Sequence, residues 1–82
     1  MAALTDEEKA ILTFARRWYK YAGKQEQDIR DEFGISATRY WAKFNVLLDR
    51  PEALAFDGPT VNRYRRMREA RQRARSARRL AG

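Results

Sequence analysis

Apolar side chains recur along the chain at the three- and four-residue intervals of amphipathic helices, and glycine and proline separate these stripes. The first stripe consists of Ile11, Phe14, Ala15, Trp18, Tyr21 and Ala22. It predicts a single helix that begins after Thr5 and ends at Gly23. Thr5 and Glu8 have the spacing of a capping box, in which each side chain pairs with an otherwise unpaired backbone N–H.

The aromatic side chains of this stripe allow two interpretations. Phe14 and Trp18 would either fill the core of a small domain or form a surface on which nucleic-acid bases stack. A domain of this size has a thin margin of stability, so we expect both side chains in the core. Arg16, Arg17 and Lys20 lie beside the stripe. We expect these side chains to face solvent rather than to contact phosphates.

The segment 24–50 has the pattern of two short helices joined by a tight turn. Ile29 and Phe33 share one helical face, and Gly34 follows where a glycine most often ends a helix. The Ser36 hydroxyl can then cap the next helix. The inward stripe of that second helix consists of Tyr40, Phe44, Leu47 and Leu48.

This arrangement is typical of helix-turn-helix proteins, which place the second helix of the pair in the major groove of DNA, although other αα-hairpins share it. We predict the two helices over residues 24–33 and 36–48. One core is expected to contain Trp18, Phe33, Tyr40 and Phe44. The outer face then carries the candidate DNA contacts, namely Ser36, Thr38, Arg39, Trp41, Lys43 and Asn45.

Asn45 and Arg39 are the candidates for base recognition, because their side chains can form paired hydrogen bonds with adenine and guanine. Trp41 would contact a sugar or a thymine methyl, or else pack against the first helix. The acidic residues of the helix over 24–33 oppose this interpretation, since the first helix of the pair crosses the phosphate backbone. Either these acids face away from DNA, or this surface binds a protein.

Two prolines indicate where the last helices begin. Pro51 can start a short helix and Pro59 suits the first position of a final one, because the first turn leaves its N–H groups unpaired. From Thr60 to Leu80 neither Gly nor Pro interrupts the chain. Val61 and Tyr64 are expected to dock this last helix on the body.

Charge is distributed very unevenly over the 82 residues, whose formal net charge is +7. Residues 63–79 hold nine arginines and one acid, which gives +8, so the rest of the chain sums to −1. The nine are Arg63, Arg65, Arg66, Arg68, Arg71, Arg73, Arg75, Arg78 and Arg79. We therefore predict an all-α fold of four to five helices, with a helix-turn-helix body over 1–58 and an arginine-rich C-terminal arm over 59–82. Such an arm indicates a polyanionic partner.

Small side chains recur within the arm at steps of three and four. They are Met67, Ala70, Ala74, Ala77 and Ala81. This stripe would either form a narrow seam in a homodimer or fill the helix between arginines, and the small area of alanine favours the second interpretation. Repulsion between arginines three and four positions apart predicts that the arm becomes ordered on its partner.

Composition narrows the classes of function. The chain has neither Cys nor His, so we expect no metal site, no cofactor and no catalytic pair of nucleophile and base, and hence no enzyme. No apolar run approaches the ~18 residues of a membrane span, and the first residues lack the pattern of a signal peptide. The expectation is a cytoplasmic protein that does not bind membranes.

The chain resembles a family of small, basic actinobacterial and actinophage proteins that is described as a domain of unknown function. Three segments carry the resemblance, WYKYAG, FGISATRYWAKFNVLLDRPEAL and RYRRMREARQRARSARR, within a stretch from Leu4 to Leu80. The resemblance implies a bacterial source and a helix-turn-helix-like core, and it implies no activity.

These features together favour DNA binding, by a small transcription regulator or a nucleoid-associated protein of the bacterial nucleoid. The helix over 36–48 would enter the major groove of double-stranded DNA, while the arm neutralises flanking phosphates. Structured RNA or the ribosome is an alternative partner, because arginine-rich segments often fold on RNA. The other alternative is a protein adaptor that docks on the transcription machinery through the acidic helix.

Overall fold

Five helices form the fold, and the computed structural model describes residues 3–81, with side chains as far as residue 78. In chain order the helices are α1 (Asp6–Phe14), α2 (Ala22–Phe33), α3 (Ala37–Leu47), α4 (Pro51–Phe56) and α5 (Gly58–Ala81). Helices account for 78% of the described residues, which contain no strand. The predicted small all-α bundle is therefore confirmed.

The first helix begins as predicted but ends nine residues early. The Thr5 hydroxyl accepts a hydrogen bond from the backbone N–H of Glu8 at 3.1 Å, and the Glu8 carboxylate accepts one from the backbone N–H of Thr5 at 2.8 Å. However, α1 ends at Phe14, and Gly23 lies inside α2. Residues 15–21 form a connection that we call the α1–α2 loop.

Side-chain contacts of the α1–α2 loop explain why the helix stops. The Arg17 guanidinium donates to the Glu32 carboxylate of α2 at 2.8 Å, and the Tyr19 hydroxyl donates to the Asp28 carboxylate at 2.7 Å. These bonds turn both side chains toward α2, which a further turn of α1 would not allow. Trp18 is consequently 81% exposed, so its predicted place in the core is wrong.

The turn between α2 and α3 has the predicted geometry. Gly34 ends α2 in the left-handed conformation, with φ at 68°, where a residue with a Cβ would be strained. Ser36 caps α3 by accepting a hydrogen bond from the backbone N–H of Arg39 at 3.2 Å. Both helices therefore lie within two residues of the predicted bounds.

Tyr40 is the centre of the core, and its side chain is fully buried. Ring contacts at centroid distances of 5.3, 5.3, 4.8 and 6.3 Å join it to Phe14, Phe33, Trp41 and Phe44. Its hydroxyl donates to the Ile11 carbonyl of α1 at 2.6 Å, and burial raises the pKa of that hydroxyl, which stays protonated as a donor. The predicted core is confirmed for Phe33, Tyr40 and Phe44.

Both prolines lie in first helical turns. α4 begins at Pro51 as predicted, whereas α5 begins at Gly58, so Pro59 occupies its second position instead of the first. The Asp57 carboxylate accepts a hydrogen bond from the backbone N–H of Thr60 at 3.3 Å. This bond caps the N-terminus of α5.

The first two turns of α5 dock on the body, as expected. Val61 is fully buried, and the Tyr64 hydroxyl donates to the Ala15 carbonyl at 3.2 Å. The Arg65 Nε donates to the Leu48 carbonyl at 2.6 Å. These carbonyls belong to the C-terminal caps of α1 and α3, where backbone acceptors lack a partner within the helix. α5 thus completes the hydrogen bonding of both helix ends.

Candidate nucleic-acid interface

The face of α5 that docks on the body changes from apolar to basic along the helix. Val61 and Tyr64 begin this face, and it continues at steps of four and three with Arg68, Arg71, Arg75 and Arg78. Residues at these steps lie on one side of a helix. We call the four arginines the groove face of α5, because three of them line the groove described next.

An open groove of about 1160 Å³ lies between α3 and the distal part of α5. Trp41, Phe44 and Tyr64 contribute aromatic rings to it, and the α5 side carries Arg68, Arg71 and Arg75. Thr38 and Asn45 of α3 and Gln25 of α2 add polar groups. Aromatic rings, amides and arginines together form the type of surface that binds nucleic acid.

Trp41 packs against α5. Its ring centroid lies 5.9 Å from that of Tyr64 and 5.4 Å from that of Phe44, and the side chain is half-buried. It belongs to the partly buried side chains that pack on the core, to which α1 also contributes. The two predicted roles, packing on the first helix and contact with a sugar or thymine methyl, stay predictions.

The candidate DNA contacts on α3 do not form a single surface. Thr38 and Asn45 line the groove, whereas the Lys43 Nζ lies 3.1 Å from the Glu7 carboxylate of α1. Arg39 is exposed and lies outside the groove lining. The outer face that the helical pattern predicted is therefore divided, because α5 lies along one side of it.

Besides Lys43, two of the candidate side chains on or next to α3 already have hydrogen-bond partners within the protein. The Ser36 hydroxyl caps α3, and the Asn45 Oδ1 accepts from the Arg68 guanidinium at 3.2 Å. The same guanidinium pairs with the Asp49 carboxylate at 2.7 Å. The hydrogen bond from Arg68 lowers the pKa of Asp49, which stays ionised in this pair. The bond from Arg68 occupies one of the two lone pairs of the Asn45 Oδ1 and orients the amide toward α5.

Most arginines of the arm have no ionic partner among the residues with described side chains. Arg65 and Arg68 are half-buried and bonded to the body. The exposed arginines that form no ion pair there are Arg63, Arg66, Arg71, Arg73, Arg75 and Arg78. Arg79, also predicted to contact phosphate, lies outside the described side chains. Six guanidinium groups of this segment are thus available to an anion.

Two of the acids of α2, which argued against DNA binding, are bonded to the α1–α2 loop. Asp28 accepts from the Tyr19 hydroxyl, Glu32 pairs with Arg17, and Asp31 accepts from the Gln27 amide at 2.9 Å. The Tyr19 hydrogen bond is the largest of the influences that lower the pKa of Asp28. None of these carboxylates is part of the groove lining. Of the two sequence interpretations, the geometry favours acids that face away from the groove.

Sequence interpretation missed Tyr64, Gln25 and Gln72 as lining residues of the groove. The signal for Tyr64 was the spacing itself, because it lies on the same three- and four-residue steps as Arg68 and Arg71. Gln25 had no such signal, since its place depends on how α2 packs beside α3. Within residues 3–81 no three potential metal ligands cluster, and no helix has the length and hydropathy of a membrane span.

Comparison with curated proteins and with solved structures gives no match. A family model does match, and it covers residues 3–76, which include α1 to α4 and most of α5. The family is described as protein of unknown function DUF3263. The matched residues include the body from residue 3 and three arginines of the groove face, Arg68, Arg71 and Arg75. The chain belongs to this family.

Proposed function

We propose that this protein binds double-stranded DNA and that the groove face of α5 makes its principal phosphate contacts. One observation carries the proposal. The side of α5 that docks on the body through Val61 and Tyr64 continues along the helix with four arginines, Arg68, Arg71, Arg75 and Arg78. These four positions span about 15 Å at ~1.5 Å per residue. The phosphate backbone carries a charge every ~1.7 Å along the duplex axis, so this stripe meets a continuous row of anions.

α3 lies beside this stripe and supplies the base contacts. In helix-turn-helix proteins, residues near the N-terminus of the second helix contact base edges. Thr38 and Arg39 occupy that part of α3, and both are exposed. Asn45 lies two turns farther along α3. It contributes a base contact after Arg68 gives up its hydrogen bond to Asn45 and binds a phosphate. A transcription regulator or nucleoid-associated protein of a bacterial cytoplasm is the class of protein that fits.

Fluorescence anisotropy tests the choice of partner. Labelled duplex DNA, one strand of that duplex and an RNA hairpin of equal charge are titrated with the full-length protein at several salt concentrations. We expect the duplex to bind most tightly and its log K to fall with log salt with a slope of about −3.6, from four phosphate contacts. Tighter binding of the hairpin at every salt concentration would replace DNA with structured RNA. An affinity independent of salt would exclude the phosphate contacts.

A further inference from the structure

Among the described residues, Trp18 is the most exposed of the large apolar side chains, at 81%, although both of its neighbours in the chain contact the body. Its neighbour Arg17 is bonded to Glu32 and covers the Phe14 ring at 4.6 Å. Its other neighbour, Tyr19, stacks on Phe14 with a centroid distance of 5.8 Å. Because both neighbours are bound to the body, the backbone holds the indole outward.

A second exposed aromatic side chain follows within the same loop. Tyr21 is 67% exposed, and the Lys20 Nζ lies 5.5 Å from the centroid of its ring. The segment 15–24 holds Arg16, Arg17, Lys20 and Lys24 and no acid. Three of these cations pair with carboxylates of other segments, and Lys20 forms no ion pair among the described residues. Two aromatic rings thus flank an available cation.

The α1–α2 loop adjoins the groove at both of its ends. Its first residue, Ala15, accepts a hydrogen bond from Tyr64, whose ring lines the groove. Its last residue, Tyr21, accepts a backbone hydrogen bond at 3.4 Å from Gln25, which also lines the groove. A nucleic acid in the groove therefore has the loop within reach.

We propose that Trp18 and Tyr21 form a stacking site for unpaired bases, with Lys20 on the adjoining phosphate. Aromatic side chains stack on any base, and a basic surround is the usual setting of such sites. Two rings separated by a lysine are too small an apolar area for a protein interface, which takes about 800 Å² from each partner. The protein therefore binds a duplex that carries a single-stranded extension more tightly than a blunt duplex. This preference rests on the proposed duplex binding.

The two tryptophans of the chain allow each surface to be observed separately. Trp41→Phe leaves Trp18 as the sole indole, in the loop, and Trp18→Phe leaves Trp41, in the groove. Each variant is titrated with a blunt duplex and with the same duplex extended by about six unpaired nucleotides, a length within known single-strand site sizes. We expect quenching of Trp18 by the extended duplex and little change with the blunt one, because only unpaired bases stack on it.

Affinity provides the second measurement. Trp18→Ala is expected to weaken binding of the extended duplex about tenfold, as the loss of one stacked base does, and to leave blunt-duplex binding within about twofold. Trp18→Phe, which keeps an aromatic ring, should restore most of the loss. Circular dichroism of each variant checks that the fold is retained.

The outcomes separate the two proposals. Unchanged Trp18 fluorescence together with equal affinities of Trp18→Ala and wild type would overturn the stacking site, while quenching of Trp41 by blunt duplex would leave the proposed duplex binding intact. Quenching of Trp18 by a single strand, in a protein that does not bind blunt duplex, would uphold the stacking site and overturn duplex binding. If no probe binds and the fluorescence of both tryptophans stays unchanged, both proposals are overturned.

Discussion

Two sets of arginines on α5 allow a test in which charge is constant and only position differs. The first variant replaces Arg71, Arg75 and Arg78 of the groove face with glutamine. The control variant makes the same replacement at Arg63, Arg66 and Arg73. All six side chains are exposed. At 3.6 residues per turn the two sets point about 130° apart, so a duplex that lies along the groove face contacts the first set and not the second.

The expected effect follows from the number of phosphate contacts. Each neutralised phosphate contributes about −0.9 to the slope of log K against log salt. Four contacts from the groove face give roughly −3.6, and loss of three leaves roughly −0.9. If the affinities converge near 1 M salt, the groove-face variant binds about 500-fold more weakly at 0.1 M. We expect the control variant to change the slope by less than about one unit.

Fluorescence anisotropy with a labelled duplex, at salt concentrations from about 50 to 200 mM, measures both slopes. Circular dichroism shows whether the two variants retain the same helix content, which glutamine should preserve because its helix propensity is close to that of arginine. Equal losses in both variants would refute the groove face and indicate binding by total charge. A larger loss in the control variant would place DNA on the opposite side of α5.

Four further predictions concern the core, the ion pairs and specificity. Phe44→Ala should lower the free energy of unfolding by about 3–5 kcal/mol, because the Phe44 side chain is 2% exposed. Thr38→Ala should lower it by less than ~0.5 kcal/mol. Equal urea midpoints for the two variants would contradict the packing of Phe44. Asp49→Asn should strengthen duplex binding while the salt slope stays at about −3.6, because Arg68 no longer has to leave its ion pair to contact phosphate. A weaker complex would be the contrary result. Folding lowers the pKa of Asp28, so its contribution to stability is present above pH ~4 and is lost as pH falls through the lower folded value. Urea unfolding of Asp28→Asn should therefore show a weaker loss of stability in acid than wild type. Arg39→Ala should reduce the preference for the best site of a random-library selection by about 1–3 kcal/mol and should leave the affinity for bulk DNA almost unchanged. An equal loss of affinity for every duplex would indicate that Arg39 contacts a phosphate.

Helix ends with a local cap were predictable from the sequence, and the end that depends on a distant partner was not. Thr5, Gly34, Ser36 and Pro51 each act through the backbone of their own turn, and the structure has a helix end at each of them. At the end of α1 the apolar spacing continues past residue 14. What stops the helix there is a pair of bonds to α2, and nothing in the neighbouring sequence indicates them.

The same distinction holds for the candidate site. The basic arm could be recognised from the sequence because one uninterrupted helix, α5, holds its arginines, whereas which of them lie beside α3 could not. The division of the outer face of α3 could not be predicted either, because it depends on where α5 crosses the body. That position is determined by the burial of Val61 and by the bonds of Tyr64 and Arg65 to the caps of two other helices. Each of these partners is at least 17 residues away in the sequence.

Arg68 connects the charge of the arm with the base contacts of α3. Its guanidinium holds Asn45 and Asp49 in the free protein, and the Asp49 side chain is 67% exposed. An ion pair with this exposure contributes only about 0–1 kcal/mol, because water screens it. A duplex phosphate can therefore replace Asp49 at small cost, and the exchange releases the Asn45 amide beside the groove. In the proposed complex, sequence-independent contact of Arg68 with the backbone thus leaves the Asn45 amide without this internal partner, so that its oxygen and its nitrogen can both pair with a base.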